Sequence, residues 1–174
     1  MQKYFSSMAL SLLIASGTVS CHAASIAHKI IPTQMSRVPT PASSSHTALE
    51  QSIHRQINEY RRSRNLSPLT LDSRISAQAL AHSQAMASGK VSFSHDGFDQ
   101  RFQIIRRTIP YRAAAENVAF NQDYSNPDVQ AVQGWIKSPR HRVNIEGQYD
   151  LTGIGISRNA NGEYYFTQIF IRSR

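Results

Sequence analysis

Cysteine is almost missing from this chain: among 174 residues only position 21 carries one. A lone cysteine closes no internal bridge, so the small scaffolds held by a disulfide framework are excluded. Long apolar runs are scarce as well. The one near the start, Met8 to Ile14 (MALSLLI), is too short to cross a bilayer as a helix. No internal repeat is visible. Acidic residues are few, 11 against 19 Lys and Arg, and the formal net charge of +8 favours anionic partners. No aromatic-rich or groove-reading motif accompanies the arginines, which ranks nucleic acid last among those partners. Of the clusters Arg61-Arg62-Arg64, Arg106-Arg107 and Arg140-Arg142, the first two fall near expected helix C-termini, where cations complement the helix dipole.

What is present begins with an export signal over residues 1–23: Lys3 supplies a positive start, the short apolar run follows, and small residues lead to Cys21. Two readings of its end stand. Cys21-His22-Ala23 matches a small-x-Ala cleavage site, whereas Thr18-Val19-Ser20-Cys21 matches a lipobox with Thr in place of the usual Leu. In the second reading Cys21 becomes a lipid anchor, the one attachment to a membrane this sequence offers. Both readings place the product outside the cytoplasm, as a secreted, periplasmic or extracellular protein or a lipid-anchored envelope protein. Residues 24–47 are rich in Pro, Ser and Thr without periodicity, which reads as a flexible tether. The remainder, 48–174, has the length of one domain, and a chain that is 40% hydrophobic can bury a core in it.

Within that domain Leu49, Ile53, Ile57 and Tyr60 recur at helical spacing and predict a first amphipathic helix ending before Ser67-Pro68. Asp72 is placed to cap a second helix with Ile75, Ala79, Leu80 and Met86 on its packing face and Gly89 at its end. Asp96 can cap a third, with Phe98, Phe102 and Ile105 as its buried stripe. "AAENVAFN" alternates as a strand. Asn126-Pro127 opens a helix in which Val129, Val132 and Ile136 are apolar and Trp135 anchors the core. Two strands finish the domain, "LTGIGIS" and "EYYFTQIFIR", joined through the hairpin signal Asn161-Gly162. The last is apolar on both faces and needs cover on both. Gly153 and Gly155 share one face, where a helix or loop can approach closely. The fold class expected is therefore an α/β/α three-layer sandwich, with a small antiparallel sheet between helices.

Four motifs in order carry a resemblance: "SHDGF" (94–98), "AENVAF" (115–120), "GWIKSPRHRVNI" (134–145) and "GIGISRNANGEYYFTQIF" (153–170). With them the chain resembles the CAP superfamily of cysteine-rich secretory, antigen 5 and pathogenesis-related proteins, in particular its bacterial secreted (SCP-like) members. The resemblance implies an α/β/α sandwich with a cleft lined by two histidines and two glutamates. It assigns His95 and His141 to the histidines and Glu116 to the glutamate of the "AEN" triplet. The second glutamate is replaced by Ser138, three residues after Trp135.

Two neutral imidazoles and a carboxylate make a workable set for Zn²⁺ or another divalent cation, with His95 and His141 as the metal ligands and solvent in an open position. Ser138 and Pro139 can start a short helix that aims His141, the serine oxygen accepting from the N–H of Arg140 or His141. Ser138, Asn117 and Trp135 are read as structural support. A Ser94-His95-Glu116 triad is disfavoured because neighbours in extended chain point to opposite sides. His54 and His82 are read as ordinary helix residues. The function expected is an exported, non-enzymatic module binding an envelope or extracellular ligand, an anionic polymer or a lipid, in the His/Glu cleft. The rival is a metal-dependent hydrolase of peptide or cell-wall material with Glu116 as general base.

Overall fold

The computed structural model describes residues 41–174, with side chains from residue 46 onward; the signal, lipobox and tether readings over 1–40 lie outside the described residues. The first helix, α1 (Pro41–Ser63), starts well ahead of Ala48, so the end of the segment read as tether is helical. There follow β1 (Thr70–Leu71), α2 (Ser73–Ala87), α3 (Phe98–Arg106), β2 (Tyr111–Asn121), α4 (Pro127–Lys137), α5 (Pro139–Ile145), β3 (Leu151–Arg158) and β4 (Tyr164–Ser173).

The strands form one sheet in the order β1-β3-β4-β2. β4 pairs antiparallel with both β2 and β3, while the two residues of β1 pair parallel with the start of β3. The sheet is thus mixed rather than purely antiparallel. A strand this short has too little periodicity to be seen in the sequence.

Alternation along β4 sends its side chains into two cores, and these define the three layers. Phe166 and Phe170 pack with Ile53 and Ile57 of α1, Val132 and Trp135 of α4 and Ile145 of α5. Ile169 and Ile171 face the other way and pack with Ile75 and Ala79 of α2 and Phe102 and Ile105 of α3. On that second face the glycines matter: a Cβ on Gly155 would lie 2.1 Å from the Leu80 backbone nitrogen, and one on Gly153 2.3 Å from that of Ser76. The α2 backbone rests directly on the strand.

Several local expectations change. Asp72 does cap α2, its carboxylate accepting from the Arg74 N–H at 2.9 Å. At α3 the cap position belongs to Gly97, in the left-handed region at φ 76°, rather than to Asp96. Asn126 occupies the cap of α4 without a side-chain bond. The β3–β4 connection spans residues 159–163, held by the Asn159 side chain, which accepts from the N–H groups of Asn161 and Glu163 at 3.0 Å each. In this longer loop Gly162 alone takes a positive φ, 85°.

Candidate functional site

β2 is an edge strand, and the site is built over its free edge. Two carbonyls on that edge are occupied from the side: Glu116 O accepts from Asn144 Nδ2 at 3.3 Å, and Val118 O accepts from Trp135 Nε1 at 2.9 Å. Asn117 is fully buried and ties α5 to the strand, donating to His141 O at 3.1 Å and accepting from Asn144 at 2.8 Å. These bonds set where His141 stands.

Ser138 is at once the C-cap of α4 and the N-cap of α5. Its hydroxyl makes no capping bond, contrary to expectation; the backbone carbonyl does the work, accepting from Arg142 N at 2.8 Å. Proline at the first helical position then turns the chain without losing a hydrogen bond. His141 is half-buried, and its pKa is lowered by desolvation first and by the nearby His95 second.

From the other side of the strand comes the loop carrying His95. His82, buried on α2, holds it by donating from Nε2 to Ser94 O at 2.9 Å, since a carbonyl can only accept. Burial lowers the pKa of His82. It therefore belongs to the site as the group that positions the loop, and the apolar spacing Ile75, Ala79, His82, Met86 could have shown that it points inward. The Ser94 hydroxyl turns to backbone, donating to Ser92 O at 3.3 Å and accepting from Asp96 N at 3.1 Å.

The centre of the cluster is Glu116, whose side chain has no exposed surface. Arg101 grips it with a fork, Nε to Oε2 at 2.9 Å and Nη2 to Oε1 at 2.8 Å, and Oε1 also accepts from His95 Nδ1 at 2.9 Å. Arg101 further donates Nη1 to Asp96 O at 2.6 Å, which ties the loop to the same guanidinium. Such a charge-assisted, bidentate pair is the strong form of the interaction. With Nδ1–H given to the carboxylate, the free nitrogen of His95 is Nε2, on a side chain that is half exposed.

Arg101 was not among the expected site residues. It sits at helical spacing on the apolar stripe of Phe98, Phe102 and Ile105, and an arginine there must find a buried partner.

This arrangement changes the chemistry. Among the described residues no group of three or more His, Cys, Asp or Glu side chains is placed to hold a metal ion. Both oxygens of Glu116 lie inside the arginine fork, so the expected shell of His95, His141 and Glu116 around Zn²⁺ reduces to two imidazoles. The residues do not fit a three-ligand zinc site. A general base must be free to take a proton, and this carboxylate already accepts three hydrogen bonds.

Beside His141 the surface opens into a groove of about 370 Å³ walled by Phe93, Val118, Phe120, Tyr124 and Trp135. Phe93, Phe120 and Tyr124 are 52%, 43% and 52% exposed, and the Phe93 and Phe120 rings stand 6.2 Å apart. Large aromatics left in water around one concavity make this groove a candidate binding surface. None of the three was singled out as a site residue in the sequence, where Phe93 stands far from the Phe120–Tyr124 stretch.

The cysteine-rich secretory protein family (CAP) matches residues 54–170. The uncharacterized protein YkwD of Bacillus subtilis (strain 168) is 33% identical over 135 residues, 76% of this chain and 50% of its own length. The chain thus spans about half the length of that curated relative. An extracellular protein containing a SCP domain from Bacillus anthracis str. Ames matches with a TM-score of 0.64 at 30% identity, over 77% of this chain and 44% of its own. An outer surface protein of Borrelia burgdorferi, 18% identical, shares the fold with a TM-score of 0.62 over 73% of this chain and 94% of its own. The sandwich, the four ordered motifs and the match across most of the domain agree, and the chain belongs to the cysteine-rich secretory protein (CAP) family, as a member whose folded domain carries no cysteine at all.

Proposed function

We propose that this protein is an exported binding module that takes an amphipathic ligand of the cell envelope in the groove beside His141, without catalysing its conversion. One observation carries the reading. Exposed Phe93, Phe120 and Tyr124 surround an apolar groove with the His141 imidazole at its wall, while the one carboxylate nearby is neutralised by Arg101. An apolar chain or ring would fill the groove and a polar end would meet His141 and the exposed side of His95. The hydrolase alternative needs Glu116 as a base, and nothing in its surroundings frees it for that role. Export is supported by the signal-like residues 1–23 and by the extracellular relative of Bacillus anthracis. Among the described residues no helix is long and apolar enough to cross a membrane.

Trp135 is the chain's single tryptophan and lines the groove, so its emission reports on occupancy. Titrating the full chain with dodecanoate as the probe should give a saturable change in Trp135 fluorescence. Phe120→Ser and His141→Ala should each weaken it about tenfold, the loss of roughly 1.4 kcal/mol of contact. Binding by both variants as tight as that of the unaltered chain, or no saturable change, would overturn the proposal.

A further inference from the structure

At the opposite end of β2 the chain gathers arginines that, among the described residues, form no ion pair. β2 and β4 pair Tyr111 with Ser173 and then Ala113 with Arg172, which leaves Arg112 as the extra residue of a β-bulge. A bulge frees one residue from the ladder and re-aims its side chain. Here it adds an arginine next to Arg172, and both line a pocket of about 390 Å³ together with Arg61, Ser67, Tyr149 and Asp150.

Arg112 and Arg172 are exposed, and among the described residues neither guanidinium makes a hydrogen bond or an ion pair. Arg61 at the pocket's inner wall adds a third cation, one whose N–H groups go to neutral backbone carbonyls. The single carboxylate of the lining, Asp150, is turned to the strand end, where it accepts from Ser173 N at 2.7 Å and from the Ser173 hydroxyl. Like charges on adjacent strands destabilise a sheet. A conformation that places two of them side by side around a concavity is one that an anion would stabilise.

We propose that this pocket binds a phosphate group, held between the Arg112 and Arg172 guanidinium forks. Two planar forks match the several acceptor oxygens and the charge of a phosphate, as a free ion or as a headgroup. The site is separate from the groove beside His141: Arg112 and Phe120 lie eight residues apart along β2, about 26 Å.

The test is titration of the full chain with inorganic phosphate at 0.15 M NaCl, followed calorimetrically. Saturable one-to-one binding is expected, weakened tenfold or more by Arg112→Gln and by Arg172→Gln. Arg55→Gln removes the same charge from an exposed position on α1 and should leave affinity within about twofold. At phosphate concentrations ten times the Kd the wild-type unfolding midpoint should rise by about 3–5 °C, and that of Arg112→Gln should not. Vesicles then separate the sources. Arg112-dependent binding to phosphatidylglycerol but not phosphatidylcholine identifies a lipid headgroup, whereas phosphate binding without vesicle binding identifies a soluble phosphate; either supports the site. Absence of saturable phosphate binding, or equal weakening by Arg55→Gln, overturns it.

Discussion

Arg61 and Arg101 are both buried cations on helices, 2% and 8% exposed, and their surroundings differ in kind. Arg61 meets no carboxylate. Its guanidinium donates to four backbone carbonyls, those of Ser67 at 2.8 Å, Ile145 at 2.6 Å, Gly147 at 2.9 Å and Tyr149 at 3.3 Å, and desolvation lowers its pKa. It thereby stitches the end of α1 to the chain between α5 and β3. Arg101 instead meets a full opposite charge, and the pair it makes with Glu116 carries His95 at its rim. The first arrangement gathers loose carbonyls and serves the fold. The second consumes a carboxylate and leaves a site that is polar but nearly uncharged. Arg61 does stand in the last turn of α1, as the helix-dipole reading of the sequence has it, and the four carbonyl bonds add a structural role to that placement.

The comparison can be broken at Arg61 with the largest effect. Arg61→Leu leaves four carbonyls without their donor, and we expect a loss of about 3–5 kcal/mol in chemical denaturation. A loss under about 1 kcal/mol would mean that water takes the place of the guanidinium and the stitch is dispensable.

Glu116→Gln comes next, at about 2–3 kcal/mol, because the isosteric amide still accepts from Arg101 but no longer compensates its charge. The His95 ring should also lose its fixed orientation, visible as broadened imidazole resonances. Unchanged stability would show that Arg101, like Arg61, is satisfied by carbonyls alone.

The smallest effect is a slope with pH. His82 and His141 both have lowered pKa values in the fold, burial being the main cause. Protons then bind more readily to the unfolded chain. The stability these groups contribute is complete above the unfolded imidazole value of about 6.5 and is lost as pH falls from there through the lower folded values. Each imidazole adds at most about 1.4 kcal/mol per pH unit to that slope. His82→Gln, which keeps a donor for Ser94 O and cannot titrate, should flatten the dependence of stability on pH below 6.5; an unaltered slope would place its origin elsewhere.

Much of the fold was legible because helical and strand periodicities report on burial directly. The two faces of β4, the room for close approach over Gly153 and Gly155, and the break at Ser138-Pro139 are all local patterns. The candidate site was legible in its members and less so in its wiring. His95, Glu116 and His141 could be named, yet Arg101 changes what they can do. A single sign was available for all three hidden polar groups: Arg61 follows Ile53 and Ile57 at helical spacing, His82 follows Ile75 and Ala79, and Arg101 stands between Phe98 and Phe102. A polar residue on an apolar stripe demands a partner inside the protein, because burial without one costs too much.

By itself the sequence determined the three-layer sandwich, the exclusion of a disulfide framework and the family to which the domain belongs, since these follow from spacing, composition and ordered motifs along the chain. Only the tertiary structure decided that Glu116 is closed inside an arginine fork, that Phe93, Phe120 and Tyr124 share one groove, and that a bulge sets Arg112 beside Arg172. The reason is physical. Hydrogen bonds and Coulomb forces act through space over a few ångströms, so a group's charge state and freedom depend on neighbours that the chain supplies from distant positions.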